Sequence, residues 1–166
     1  MFNNKSLFGV LLILFFSFIS CISNTKRIEE IRKLRISDGN STIIFIDEDT
    51  YEVFYIGNSA TKVNIGLSKS EKDSIYNKFK ESGLDRLPTD FQVLDDCYTM
   101  PKISTTINFI KGHTKKSINI DLSCDKYNIF YKSFAYLISE FVQFVYNIVN
   151  HKDKIRTLPK SNYPYL

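Results

Sequence analysis

The fold is decided by ISTTINFIKGHTKKSINIDL, residues 103–122. Apolar and polar side chains alternate with a period of two over 103–109 and again over 118–122, on either side of Gly112-His113. Such alternation around a short glycine-containing turn predicts an antiparallel β-hairpin. If the turn centres on Gly112-His113, residues whose numbers sum to about 225 lie opposite each other, because hairpin register is fixed by the turn.

The segment before this hairpin predicts a β-meander followed by one helix. Period-two alternation recurs in four short segments up to Leu67, and the first of them ends at the turn-forming Asp38-Gly39-Asn40. At Ser68 the period changes. Ser68 and Glu71 have the spacing of a capping box, and apolar residues then recur at helical spacing until Gly83.

The segment after the hairpin predicts a long C-terminal helix over residues 126–150, with Asp125 as its cap. Polar side chains cover about a third of its circumference and large apolar side chains cover the rest. Residues 151–166 contain two prolines and no apolar period, which predicts an extended tail. We therefore expect an α+β domain: an antiparallel sheet of about five or six strands in the order β-β-β-β-α-β-β-α, with the long C-terminal helix packed on one face.

The first 21 residues have the pattern of an export signal. The charge of Lys5 precedes an apolar run over residues 7–19, and Ser20-Cys21 follows it. A spanning helix needs about 20 apolar residues, and this run is shorter. A buried core helix would show a polar face, which residues 7–16 lack. Export is therefore favoured over a spanning anchor and over a core helix.

Phe18-Ile19-Ser20-Cys21 resembles the lipobox of bacterial lipoproteins, in which a diacylglyceryl group is added to the cysteine and the signal is cut just before it. The resemblance implies a signal peptide over 1–20, followed by a lipidated Cys21 and a tether over 21–28. The family usually has Leu where this chain has Phe18. An ordinary signal peptide with an incidental cysteine is the alternative.

The remaining length predicts one domain over 29–150 and the extended tail over 151–166. The chain has 22 basic and 18 acidic residues, with a formal net charge of +4. Both signs are interspersed, which argues against nucleic-acid binding, because that function needs clustered basic residues. Lys115-Lys116 is interpreted as a solvated pair. Ile22 in place of Asp resembles the sorting signal for the outer membrane of Gram-negative bacteria.

Cysteine usage fits an exported protein. With Cys21 assigned to lipid, Cys97 and Cys124 remain as an even pair in an oxidising compartment. The hairpin register places Cys124 opposite Pro101, so Cys97 is only a few residues away. We expect a disulfide between Cys97 and Cys124 that closes a loop of about 28 residues.

Motifs for catalysis, metal binding and nucleotide binding are not found in the sequence. The segment 57–60 has a serine but lacks the second glycine of a nucleophile elbow. His113 and His151 fall at predicted chain turns and are not spaced as metal ligands. The acidic segment 47–49 does not fit a calcium loop, and no glycine-rich phosphate loop occurs. The sequence therefore predicts no metal, no cofactor and no nucleotide.

The longest irregular stretch covers residues 87–101 and contains Asp95, Asp96 and Tyr98, which are the candidate residues of a binding loop. We expect a lipid-anchored cell-envelope protein, a non-enzymatic binding or accessory module that uses the open sheet face or this loop. The alternative is an inhibitor or immunity-like protein that blocks a partner enzyme through the Thr89–Pro101 loop, and a third candidate is an envelope hydrolase. The expected partners are the membrane, through the lipid, and an envelope protein.

Overall fold

Seven strands and three α-helices make up the described part of the computed structural model, which covers residues 30–39, 41–56, 59–93, 104–122, 124 and 126–161. A 3₁₀ turn, Leu84–Arg86, follows the first helix. The α+β class predicted from the sequence is confirmed. In chain order the elements are β1 Ile31–Asp38, β2 Thr42–Phe45, β3 Thr50–Val53, β4 Thr61–Asn64, α1 Lys69–Glu81, β5 Phe91–Gln92, β6 Ser104–Lys111, β7 Thr114–Asp121, α2 Lys132–Asn150 and α3 Asp153–Arg156.

The strands form one sheet in the order β4-β3-β2-β1-β6-β7-β5. The first four strands are the predicted meander, and each pairs antiparallel with the next. The prediction of a purely antiparallel sheet of five or six strands is wrong, because β5 adds a seventh strand and pairs parallel with β7. β5 has two residues, which is too short for any period to be visible in the sequence.

The β6–β7 hairpin has the register that the sequence predicts. Ile107 lies opposite Ile118, and Lys111 lies opposite Thr114, next to the turn at Gly112-His113. Gly112 has a φ of 61°, a conformation that glycine adopts without steric cost. The prediction that the numbers of opposite residues sum to about 225 is confirmed.

One face of the sheet is packed. A row of isoleucines crosses its four central strands, and all four side chains are fully buried at 0% exposure: Ile44, Ile36, Ile107 and Ile118. Helices α1 and α2 cover this face. Phe79 of α1 is central to the contact, since its ring centroid lies 4.9 Å from that of Phe109 on β6 and 5.1 Å from that of Phe141 on α2.

Helix α1 begins with the predicted capping box. Ser68 Oγ accepts a hydrogen bond from the backbone N–H of Glu71 at 3.2 Å, and Glu71 Oε2 accepts from the backbone N–H of Ser68 at 2.8 Å. Both backbone donors would otherwise be unsatisfied at a helix start. Gly83, with a φ of 72°, follows the end of the helix as predicted.

Helix α2 packs on the sheet as expected but begins later than predicted. It starts at Lys132, whereas the sequence predicted a start at residue 126 with Asp125 as the cap. Asn128 explains the difference: its side-chain oxygen accepts from Phe130 N–H at 3.1 Å, and its carbonyl accepts from Tyr131 N–H at 2.8 Å. Asparagine side chains stabilise such turns in competition with helix. Phe130, predicted on the apolar helix face, is 81% exposed.

An ion pair joins the two helices at the other end of α2. Lys152 Nζ lies 2.7 Å from both carboxylate oxygens of Glu71. The hydrogen bond from Lys152, and then that from the backbone of Ser68, lower the pKa of Glu71 from its ordinary 4.5 to about 2. Glu71 therefore has two roles: it belongs to the capping box of α1 and it contacts Lys152 at the end of α2.

The segment after α2 differs from the expected extended tail, because it contains the short helix α3. Ile155 of α3 is buried and joins the core. The chain then returns to the end of β3, where Tyr55 donates to the Pro159 carbonyl at 2.9 Å and Ser161 donates to the Phe54 carbonyl at 2.6 Å. In the described ranges, none of the helices combines the length and the apolar character needed to cross a membrane.

Candidate functional site: a pocket at the bulge of the central strand

The central strand β1 contains a β-bulge. Arg32 lies opposite Ile110 and Arg35 lies opposite Asn108, so three steps along β1 correspond to two along β6. Within the bulge Lys33 has a φ of 53°, which is uncommon for a residue other than glycine. Bulges re-aim side chains and are frequent next to functional sites. The bulge therefore marks the centre of the sheet as a candidate site.

Asp47, which follows β2, holds the bulge in place. Its Oδ2 accepts hydrogen bonds from the backbone N–H of Leu34 at 3.0 Å and from the hydroxyl of Tyr76 on α1. The carbonyl of Leu34 accepts from Ile46 N–H at 3.0 Å. Burial, and then the hydrogen bond to Asp47, raise the pKa of Tyr76 well above its ordinary value. Tyr76 therefore stays protonated and donates to the carboxylate.

A cavity of about 320 Å³ lies beside the bulge, and we call it the bulge pocket. Its volume is at the lower end of the range of about 300–1,000 Å³ typical of small-molecule sites. The apolar part of its lining consists of Leu34, Phe45, Phe109 and Ile110. The polar part consists of Lys33, Arg35, Asp47, Glu48, Asn108, Lys115 and Lys116.

Part of the pocket's lining lies on the face of the sheet opposite the helices. Phe45, Arg35, Asn108 and Ser117 form a row across β2, β1, β6 and β7. Each is the chain neighbour of one of the fully buried isoleucines, so its side chain points to the other face of the sheet. Phe45, Arg35 and Asn108 of the bulge pocket therefore lie on the open face, while Asp47 contacts α1 and Lys116 contacts the segment after it.

Positive charge exceeds negative charge at the pocket. Lys116 Nζ donates to the Leu87 carbonyl at 2.6 Å, and the carboxylate of Asp47 is engaged by Leu34 and Tyr76. The lining therefore has four cations and two carboxylates, those of Asp47 and Glu48, because a hydrogen bond to a neutral group does not remove a charge. Among the described residues, none forms an ion pair with Lys33, Arg35 or Lys115.

Arg35 is the most enclosed of the three cations. Its guanidinium carbon lies 5.7 Å from the centroid of the Phe45 ring, within the range of a cation–π contact. Its Nε is inaccessible to solvent and has no hydrogen-bond partner in the part of the chain that the structure describes. Buried polar atoms are nearly always hydrogen-bonded, so this donor is an exception in the described part of the chain.

Of the site residues predicted from the sequence, only Cys124 lies in the ranges that the structure describes. Cys21, Cys97, Asp95, Asp96 and Tyr98 lie outside the described residues, so the lipidation site and the loop residues stay predictions. The disulfide partner that is described, Cys124, is buried at 5% exposure. Its Sγ accepts from Lys126 N–H at 3.3 Å. The pairing of Cys97 with Cys124 stays a prediction as well.

The start of the Thr89–Pro101 loop differs from the irregular segment that was expected. Phe91–Gln92 forms β5 and pairs with Ile118 and Asn119 of β7. Asp90 accepts a hydrogen bond from Ser117 Oγ at 3.1 Å. The described beginning of this loop is therefore part of the sheet edge.

Sequence reasoning missed the residues of the bulge pocket. Lys115 was interpreted as solvated, and Lys33 and Arg35 were seen only as the polar positions of an alternating strand. The sequence gives no local signal of the bulge. Glycine usually marks a residue with positive φ, and here that residue is Lys33. Only the pairing of β1 with β6 and of β6 with β7 brings Lys115 close to Lys33 and Arg35.

Comparisons of the chain with protein-family models, with curated proteins and with solved structures found no match. Within the ranges that the structure describes, no three His, Cys, Asp or Glu side chains are grouped so that they could hold a metal ion. The described residues that line the pocket include no serine, threonine, cysteine, histidine or tyrosine. The lining offers cations, two carboxylates, one amide and apolar side chains.

Proposed function

We propose that this protein is a lipid-anchored envelope protein that acts as a non-enzymatic binding module, with the bulge pocket as its binding site. The observation that carries this proposal is Arg35, an enclosed guanidinium with an unpartnered Nε, placed on Phe45 in a concave pocket. Concave sites with an apolar lining and a few convergent polar groups are typical of ligand binding.

The strain at Lys33 supports the same proposal. A residue held in a sparsely populated backbone region costs on the order of 1–3 kcal/mol and persists where the surrounding structure requires it. Here Asp47, which also lines the pocket, and Tyr76 of α1 hold the bulge. The bulge presents Lys33 at the same pocket.

The lipid anchor in this proposal rests on residues 18–21 and on the export pattern before them. Each buried methylene of an acyl chain contributes about 0.8 kcal/mol, and durable anchoring needs more than one chain. Cys21→Ser is expected to release the protein from the membrane fraction or to leave it unprocessed. Ser23→Ala is the matched control, and it should fractionate like the wild type. Equal membrane retention of Cys21→Ser would contradict lipidation.

Crosslinking in intact cells tests the binding module. A photoreactive amino acid is placed at Lys115, at the pocket, and in a second variant at Gln143, on the exposed side of α2. Adducts that form from position 115 and not from position 143 are expected, and mass spectrometry of the protein detects them whatever their size. Adducts that form equally from both positions, or from neither, would contradict the proposal. Density-gradient separation of the membranes in the same cells tests delivery to the outer membrane.

A further inference from the structure

We propose that the bulge pocket binds a carboxylate that is attached to a compact apolar body. This inference rests on the proposed binding function and names the chemical class of its ligand. Two features of the pocket carry it: the arrangement of its cations and the nature of its floor.

The cations identify the charged part of the ligand. Lys33, Arg35 and Lys115 have no acidic partner among the described residues, and Asp47 accepts hydrogen bonds from Leu34 and Tyr76 through its Oδ2. A guanidinium has five donors in a planar fork that matches the two oxygens of a carboxylate. The Nε of Arg35 is closed to solvent, so the terminal nitrogens of its guanidinium are the donors that an anion in the pocket can reach.

The floor identifies the rest of the ligand. Phe45 and Ile110 lie next to the cations on the same face and form the apolar floor. Leu34 and Phe109 also line the pocket, but their side chains are buried in the core. A free inorganic anion would leave this apolar surface in contact with water. A ligand with an apolar or aromatic body attached to its carboxylate covers it, and burial of apolar surface is favourable.

The structure favours a carboxylate over a phosphate. Phosphate sites are commonly built from backbone N–H groups at a helix start or in a glycine-rich loop. The described lining of the bulge pocket comes from strands and the turn after β2, and its donors are the side chains of Lys33, Arg35, Asn108 and the lysines of β7. Arg35 and Asn108 face each other across β1 and β6, where one carboxylate can accept from both.

Two probes that differ only in charge test this ligand class. The full-length protein in nonionic detergent is titrated with 3-(4-fluorophenyl)propionate and, separately, with the uncharged 3-(4-fluorophenyl)propanamide, and ¹⁹F NMR line widths report binding. Detergent without protein gives the background. The carboxylate is expected to bind about tenfold more tightly than the amide, since a hydrogen bond to a charged group gains about that factor. The preference is expected to fall as salt is added.

Three variants locate the interaction. Arg35→Gln is expected to remove the tenfold preference for the carboxylate, and Arg35→Lys to retain part of it, because the charge remains while the planar fork is lost. Lys80→Gln, which removes one exposed positive charge from α1, is the matched control and is expected to keep the wild-type preference. Thermal melting of all three variants shows that they are folded.

Several results would overturn the ligand class. These are equal binding of the carboxylate and the amide, an unchanged preference in Arg35→Gln, a preference lost in Lys80→Gln, and no binding of either probe at concentrations of about 10 mM. Crosslinks from position 115 in cells, together with any of these results, would retain the binding module and reject the carboxylate. Absence of those crosslinks would reject the module itself.

Discussion

The two faces of the sheet are made by adjacent residues of the same strands and yet differ in burial and in charge. On the packed face, Ile36 and Ile107 are fully buried under the helices. One residue away on each strand, Arg35 and Asn108 lie on the open face and line the bulge pocket. The first row stabilises the fold by removing apolar surface from water. The second row is half-buried and belongs to the site that we propose for binding.

The comparison shows where substitutions should be tolerated. The packed face is sensitive to volume, because its side chains fill a close-packed core. On the open face, we expect ligand binding to depend on the charge and the hydrogen-bonding capacity of the side chains. Stability measurements and binding measurements should therefore separate the two faces.

The largest expected effect is on the packed face. Phe79→Ala removes a fully buried ring that contacts Phe109 and Phe141. It is expected to lower the free energy of unfolding by about 3–5 kcal/mol, the range for large-to-small changes of buried aromatic residues. Denaturant titration followed by circular dichroism measures the change. Phe130→Ala, at a site that is 81% exposed, is the matched control and should stay within about 0.5 kcal/mol.

The second prediction asks whether the domain is also held covalently. If Cys97 and Cys124 are bonded, reduction of the wild type should lower the free energy of unfolding by about 3 kcal/mol on the chain-entropy account. Cys97→Ser should cause a similar loss and should make the protein insensitive to reductant. Mass spectrometry of non-reduced peptides identifies the bond. A wild type that yields two free thiols would contradict the pairing.

The third prediction concerns the ion pair that joins α1 to α2 above the packed face. Glu71→Gln keeps the capping box, because glutamine fills the same position, but it removes the charge beside Lys152. The free energy of unfolding is expected to fall by about 1 kcal/mol at neutral pH, because both side chains of the ion pair are partly exposed.

The pH dependence of that loss follows from the lowered pKa of Glu71, about 2 against its ordinary 4.5. A carboxyl with a lowered pKa in the folded state contributes its full stability above the unfolded value and loses it as the pH falls through the folded value. The difference between wild type and Glu71→Gln should therefore be constant above about pH 4.5 and should shrink as the pH approaches 2. A difference that does not change with pH would show that the charge is not the cause.

The smallest effect is expected on the open face. Lys115→Gln changes an exposed residue at the rim of the bulge pocket and should alter the free energy of unfolding by no more than about 0.5 kcal/mol. The same variant should weaken binding of 3-(4-fluorophenyl)propionate by several-fold, in the titration described above. A large loss of stability in Lys115→Gln would contradict the separation of the two faces.

Much of the fold could be predicted because its signals are local. The alternation at Ile107 and Ile118, the turn at Gly112-His113 and the capping box of Ser68 each depend on residues close together in the chain. Two features could not be predicted this way. The strand Phe91–Gln92 is too short to have a period, and Asn128 forms a turn where the apolar pattern continues as if it were helix.

The bulge pocket could not be predicted for a different reason. Lys33, Arg35 and Lys115 come from two strands that are far apart in the chain, and their proximity depends on the pairing of β1 with β6 and of β6 with β7. The bulge that turns Lys33 toward the pocket is set by Asp47 and by Tyr76 of α1, again through contacts between distant segments. None of these contacts leaves a pattern in the local sequence.

The sequence by itself determined the α+β class, the hairpin register and the start of α1, because each follows from the period of side chains or from a cap within a few residues. Only the tertiary structure decided the strand order, the parallel partner of β7 and the place of the bulge. It also decided that Lys115 of β7 would lie beside Lys33 and Arg35 of β1 in one pocket. Strand pairing over long sequence distances sets these features, because it joins residues whose local patterns carry no information about each other.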